Sequence, residues 1–505
     1  MSSDSARSGD TTDKSVTPER PTRYYIAVLV ATILLFEIAP LELSMVYPSL
    51  RYMAGEFRTP NIGWVLTIVS LVGMVCQPVL GKLGDIYGKK RVLMCIAGMF
   101  AVGSLICAVA PSFPILLIGR ALQASSVGIT AVAYGLIRDI FPARLVPIAL
   151  AAVSTGIGLN GIVGPLLGGY LATTFGYQAI FWFLLCYVAV LAPVVYVIAP
   201  ESPLRLPHRL DLLGALLLGS GAGLLLLGIS QGGAWGWTSM RLWLVVGLAV
   251  VLLALFVGQE LRSPQPLIDI RLIWGRAMRM TLLASFLGGF VLGGYSFLLP
   301  LMMESPRVAG ISYGFGLSAL GYALWTSPLG VGTMVAGPLG GLVAKRVGPR
   351  TSLIMAMTAF TVVLGLLAFV HEYRWQISIL VACLGIGMGF FYASGSNLVV
   401  EAVPASKTSA SAGVLGCSNS LGVATGVTVL GAVLSANVLY ADAGDHHIVY
   451  SDNAFVYAFC TASAIGAAGL VVALIMRHGR TPASGGVKAA ATVADGRDTT
   501  PATAG

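Results

Sequence analysis

Charge is scarce in this chain. Only 10% of its 505 residues are Asp, Glu, Lys or Arg, against 56% hydrophobic and a mean hydropathy of +0.86, whereas a soluble domain is roughly one quarter charged. Such a chain could not cover its apolar surface in water, which excludes the soluble multidomain protein that the length alone suggests. The seven cysteines (Cys76, Cys95, Cys107, Cys186, Cys383, Cys417 and Cys460) are odd in number and lie inside apolar stretches with no repeated spacing. They form no disulfide framework and read as small core residues. The five histidines (His208, His371, His446, His447 and His478) fall between or after the apolar runs, which argues against a haem or dinuclear metal centre held on facing helices. No metal or cofactor is expected. A phosphate-binding loop is also missing, because the glycine that should open one ahead of Lys82 is Cys76. ATP is therefore not expected to drive the protein through a loop of its own.

What is present is a series of apolar runs, each long enough to cross a ~30 Å hydrocarbon core as a helix. Fourteen are expected, at 24–47, 61–81, 92–110, 113–136, 146–171, 178–199, 211–230, 241–259, 279–301, 320–344, 351–370, 376–399, 408–436 and 453–476. Of the 30 Lys and Arg, 24 fall in the two tails and the even-numbered loops, five (Arg51, Arg58, Arg241, Arg307 and Arg374) fall in the odd-numbered loops, and Arg120 alone lies inside a run. By the positive-inside rule both termini are cytoplasmic, in a multi-pass protein of the plasma membrane. The net charge of +9 is therefore an orientation signal, and no nucleic-acid partner is expected. Residues 1–23 and 477–505 are polar or small-residue tails unable to pack a core, and the first is no signal peptide, since the apolar run after it is too long.

The second half repeats the first. At an offset of 260 residues Pro78, Gly81, Gly88 and Lys90 fall on Pro338, Gly341, Gly348 and Arg350, and at 262 Asp139-Ile-Phe-Pro142 falls on Glu401-Ala-Val-Pro404. The expected layout is a six-helix bundle over 24–199, a two-helix insertion with cytoplasmic linkers over 200–278, and a second six-helix bundle over 279–476. Parallel repeats of this kind place a substrate cavity between the halves.

The loop after the second run reads Gly81-Lys-Leu-Gly-Asp85-Ile-Tyr-Gly88-Lys89-Lys90-Arg91. The fourth run carries Gly119-Arg120-Ala-Leu-Gln123 and the fifth Gly164-Pro165-Leu-Leu-Gly168-Gly169. These motifs, spread over nearly the whole chain, resemble those of the major facilitator superfamily. The two extra central runs, beside Asp211-Leu-Leu-Gly214 and Pro266-Leu-Ile-Asp-Ile-Arg-Leu272, are similar to its fourteen-helix drug:proton antiporter branch. Ala124, Ala151, Asn160 and Gln178 depart from the patterns. The resemblance implies an all-α major facilitator fold with alternating access. It also implies a proton-coupling role for Arg120, a cytoplasmic gate at Gly81, Asp85, Gly88, Lys89, Lys90 and Arg91, and antiport packing at Gly164, Pro165, Gly168 and Gly169.

Arg120 has a physical claim of its own. A guanidinium within a span costs at least about 2.5–3.5 kcal/mol, so it needs a partner or a wet cavity; helix carbonyls alone could also satisfy it. Glu37 and Glu42 are the candidate acids, about 140° apart on an ideal helix, with Pro40 between them able to bend it. Burial favours a neutral carboxyl group and a nearby guanidinium an ionised one, so a Glu that meets Arg120 in only one conformation would bind and release a proton. Glu42 could instead be solvated near the outer surface. Gln77, Asn160, Asn397 and Asn419 are candidate polar lining or helix-to-helix bonds, and Trp235 and Trp237 suit an interfacial belt. The expected protein is a monomeric transporter rather than an enzyme, exchanging a hydrophobic or cationic small molecule for protons across the lipid bilayer. An importer, an exporter of a lipid or metabolite, or a membrane enzyme or sensor are the alternatives.

Overall fold

The computed structural model describes residues 22–59, 61–129, 132, 136, 140, 146–202, 211–264, 266–268, 270, 275–307, 313–402, 408–441 and 448–480. Among them, twelve helical stretches of 19–31 residues are long and apolar enough to cross a membrane. They coincide with twelve of the fourteen expected runs. Of the other two, 113–136 is an α-helix over Phe113–Gln123 and a 3-10 stretch over Ala124–Gly128, with part of the remainder outside the described residues. The run at 146–171 is the 30-residue helix Val146–Phe175. The match between 139–142 and 401–404 falls largely outside the described residues, as do the two tails. One short antiparallel hairpin, Val438–Ala441 with Ile448–Tyr450, interrupts the helical pattern, and the Tyr313 hydroxyl bonds both the N–H and the carbonyl of Tyr450.

Proline explains where the first stretch bends. It runs as Thr22–Phe36, Ile38–Val46, a 3-10 turn Tyr47–Ser49, and Leu50–Glu56. Pro40 and Pro48 have no N–H for the carbonyl four residues earlier, which interrupts the ladder near Glu37 and at the 3-10 turn.

The repeated turns share a backbone form. Gly88 has φ 104° and ψ 136°, and Gly348 has φ 112° and ψ 148°, a region open to glycine because it lacks Cβ. Each closes its helix with the same bond, Gly88 N–H to Gly84 O and Gly348 N–H to Ala344 O, both 3.1 Å. Two residues on, Lys90 N–H donates to Glu201 Oε1 at 2.9 Å and Arg350 N–H to Gly479 O at 3.0 Å. Each turn is thereby fastened to the chain just after a later helix, Gln178–Ile198 for Gly88 and Asp452–Ile475 for Gly348. Gly88→Ala and Gly348→Ala are each expected to cost about 1–3 kcal/mol, read as a lower melting temperature in detergent. The loss should be larger at Gly88, where a Cβ would also stand 2.8 Å from the Glu201 carboxyl.

Small residues set the helix spacing. In the central pair, Leu212–Trp235 and Met240–Arg262, glycines recur every seven residues, and a Cβ on Gly214, Gly221 or Gly228 would come within 2.7–2.9 Å of Glu260, Leu253 or Val246. The second helix buries only Leu242, Ala249, Phe256 and Glu260, while Trp243, Leu244, Val250 and Leu255 are more than half exposed. An apolar helix exposed this way suits a lipid environment. The first helix of the pair shares a core with Leu71 and Met74 of helix Trp64–Tyr87 and with Val414, Cys417 and Ala424 of helix Thr408–Ser435, so the pair covers the seam between the two halves. Among the twelve stretches, helix Arg276–Glu304 is the most buried. Its Gly289 and Gly293 face the carbonyls of Asn419 and Val423, while Gly422 and Gly426 face those of Phe286 and Phe290.

Candidate functional site

Arg120 is wholly buried on the helix Phe113–Gln123. Close packing puts it there: a Cβ on Gly119 would stand 2.6 Å from Cys107 Sγ, and one on Gly103 2.7 Å from the Gly119 carbonyl. At that separation Arg120 Nε donates to the Val65 carbonyl at 3.1 Å, while Nη1 donates to the Glu42 carboxylate and, at 2.8 Å, to Gln123 Oε1. Gln123 Nε2 passes the chain on to Ser104 Oγ at 2.9 Å. Glu42 is fully buried too, which removes the reading of a solvated surface acid. Burying two charges is tolerated when they pair and their remaining atoms are bonded. Here Arg120 Nη2 and Glu42 Oε2 have no hydrogen-bond partner among the described residues.

Glu37 goes elsewhere. It lies at the break in the first stretch and accepts a bond from Asn160 Nδ2. Its second oxygen faces Gly156 and has no partner among the described residues. Gly156, Asn160, Gly164 and Gly168 recur every fourth residue, so they share one face of helix Val146–Phe175. A Cβ on Gly164 would strike Ser44 Oγ, and one on Gly168 would stand 2.6 Å from Met45 Cα. Gly169 lies on another face, 2.6 Å by the same measure from the Ala319 carbonyl in the second half. Pro165 is inside the helix between the two contacts. The structure thus brings Glu42 to Arg120 and Glu37 to the glycine face.

The segment expected as a loop at 81–91 is the end of helix Trp64–Tyr87, the turn at Gly88 and the start of helix Lys89–Ala108, and Asp85 pairs across that turn with Lys89 at 3.4 Å. Lys90 Nζ lies 4.7 Å over the Tyr196 ring, Arg91 is exposed and Gly81 half-buried, and Lys82 Nζ reaches the Pro266 carbonyl in the linker after the central pair. Gln77 Nε2 donates to Ser420 Oγ at 3.0 Å across the halves. Asn397 and Asn419 serve helix carbonyls, Ala393 and Ser285. The Trp235 ring carries Arg241 at 4.1 Å, and Trp237 covers Gly232. Further bonds between the halves, Thr67 with Thr428 at 3.3 Å and Leu320 N–H to Thr173 Oγ1 at 3.2 Å, lie toward the face opposite the Gly88 and Gly348 turns.

Sequence reasoning missed three partners. Gln123 was legible, being three residues from Arg120 on one helix face. Glu201 and Ser104 had no local signal, since their roles depend on which helices meet.

The Major Facilitator Superfamily model matches residues 32–331 and 308–501. The chain is 28% identical over 427 residues to "Multidrug resistance protein Stp" of Mycobacterium tuberculosis, covering 82% of this chain and 76% of that protein. It is 29% identical over 392 residues to the "Probable actinorhodin transporter" of Streptomyces coelicolor, covering 73% and 65%. Among solved structures, the peptide transporter POT in complex with sulfate superposes with a TM-score of 0.64 at 15% identity, over 91% of this chain and 95% of that one. The human organic anion transporter MFSD10 (TETRAN) gives 0.56 at 17%, over 90% and 100%. The structural likenesses establish the fold, the family match spans most of the sequence, and this multi-pass membrane protein belongs to the Major Facilitator Superfamily.

Proposed function

We propose that the protein is a proton-coupled antiporter of the plasma membrane that exports a hydrophobic or cationic small molecule by alternating access. The observation that carries the reading is the burial of Glu42, Arg120 and Glu37 where the first stretch meets its neighbours. Ionisable groups buried within spans are costly, and where they occur they mark ion or substrate pathways. Glu37, with one unpartnered oxygen, carries the proton. Glu42 and Arg120 form the charge-balanced pair that tunes its release, and the glycines of the Val146–Phe175 helix let the groups approach and separate. The names of the multidrug and actinorhodin relatives favour export.

In this reading the chain crosses fourteen times, as two six-helix bundles and an insertion, with both termini cytoplasmic and the protein working as a monomer. The Gly88 and Gly348 turns then face the cytoplasm, and the bonds at Thr67 and Thr173 close the outer side. Asp85 fastens the cytoplasmic side when the cavity faces out; its pairing with Lys89 fits the opposite state. In everted vesicles, addition of a fluorescent cation should collapse an imposed proton gradient. Glu37→Gln should retain fold and cargo binding but lose that collapse, and a Glu37→Gln protein that still couples fully would remove Glu37 from the mechanism.

A further inference from the structure

Another buried acid lies outside the group of Glu37, Glu42 and Arg120, in the joint between the halves. Glu304 ends the helix Arg276–Glu304, is 0% exposed, and neither carboxyl oxygen has a hydrogen-bond partner among the described residues. Arg51, at the far end of the first stretch, crosses the joint and donates through Nη1 to the main-chain carbonyl of Glu304. That carbonyl is one a helix C-terminus leaves without an intrahelical partner, and it attracts a cation. Segment 313–318 folds over the same end, with Phe315 N–H and Leu317 N–H bonded to Met303 O at 3.3 Å and Gly316 N–H to Ser305 O at 2.8 Å.

Among the described residues the charged and titratable surroundings are few. Arg51 and Tyr322 face the Glu304 carboxyl electrostatically. Tyr47 and Tyr295 adjoin Tyr322, and Tyr52 adjoins Arg51. Arg307 and Arg374 lie over the Phe315 ring at 5.5 and 5.7 Å. The Tyr52 hydroxyl also accepts from Ala319 N–H across the halves at 3.5 Å. Glu304 therefore sits inside the contact that must part for the outer side to open.

We propose that Glu304 is a second proton-binding carboxyl group, which enters the outer joint protonated and ionises only when the joint opens. In the closed joint the carboxyl oxygens are buried and accept no hydrogen bond from the described residues, so the charge of Arg51, whose Nη1 is bonded to the main-chain carbonyl instead, is set against the cost of desolvating an ionised carboxylate, which is large. On closing, one proton from the outer water forms the O–H bond of the carboxyl group; on opening that bond breaks and the proton returns to water. Arg51 is the positioning residue, holding the helix end across the joint whichever form Glu304 takes. The inference rests on the alternating-access reading.

The test uses the full chain in proteoliposomes with Thr67→Cys and Thr428→Cys as a closure reporter, since these side chains meet between the halves on the side that carries the Arg51–Glu304 contact. Single-cysteine variants control for the native thiols. With Glu304 present, the disulfide yield, divided at each pH by that of an exposed reference cysteine pair given the same oxidant so that thiolate formation cancels, should fall severalfold from acid to alkaline pH. With Glu304→Gln it should stay high and flat, because glutamine mimics the neutral form. Glu304→Asp should restore the slope, and Arg51→Gln should lower the yield at every pH while keeping it. If ethidium, a hydrophobic cation, changes the yield but Glu304→Gln leaves the slope intact, the inference falls and the transport reading stands. If neither ethidium nor pH changes the yield in any variant, both fall. A Glu304→Gln protein that no longer folds also counts against the proposal, because the buried group would then need its charge.

Discussion

An Arg120→Ala protein is expected to lose about 3–5 kcal/mol of stability, the usual cost of stranding one member of a buried ion pair, together with all gradient-driven transport. The substitution removes the donor to the Val65 carbonyl, to Gln123 Oε1 and to Glu42 at once. Glu42, already with one unpartnered oxygen, would be left as a buried charge. Arg120→Lys should lie between, since a single ammonium group cannot span three acceptors that a guanidinium fork serves together. Melting in detergent and exchange in liposomes measure the two losses separately. The double variant Arg120→Ala with Glu42→Gln identifies the cause. If the stranded carboxylate is the problem, melting recovers while transport stays absent; if it does not recover, the guanidinium stabilises through Val65 and Gln123 instead.

Gly168→Val should leave a folded protein that transports at least about 100-fold more slowly, the scale of loss when a working group is misplaced by about an ångström. A Cβ at Gly168 would meet Met45 Cα at 2.6 Å and its carbonyl closer still, so the first stretch must move away from helix Val146–Phe175. Overpacking of this kind costs about 1–3 kcal/mol, which folding can survive. Glu37, bonded to Asn160 on the same helix face, would not keep its place. Gly98→Ala and Gly247→Ala, where a Cβ meets nothing within 4 Å, are the controls, and rates per folded molecule are the measurement.

Much of this was legible because a bilayer makes hydropathy a strong constraint. Apolar runs became helices, the one basic residue inside a run became the buried Arg120, and a repeat read from four residues reappeared as matching dihedrals at Gly88 and Gly348. The choice between Glu37 and Glu42 was not legible. Both lie in the same run, and which meets Arg120 depends on the break at Glu37 and on how closely three separate helices approach. Glu304 escaped attention for a different reason. As an acid at the end of an apolar run it looks like the start of a loop, and only the segment folded over it makes it an interior group. The hairpin at 438–450 is short and held partly by a distant tyrosine, so no local pattern signalled it.

The glycine heptad of the central helix pair has a consequence in time. Leu212–Trp235 and Met240–Arg262 find each other across a four-residue turn, 236–239, with an interface complete in itself. Contacts this local form fast, and chains assemble from the N-terminus as they are synthesised. The hairpin is therefore expected to close, and to settle against helix Trp64–Tyr87, before the second half leaves the ribosome. Helix Thr408–Ser435, which shares a core with the pair, is then expected to arrive at a surface already formed, and crosslinks between the pair and helix Trp64–Tyr87 in ribosome-bound chains that stop short of residue 408 would check that order.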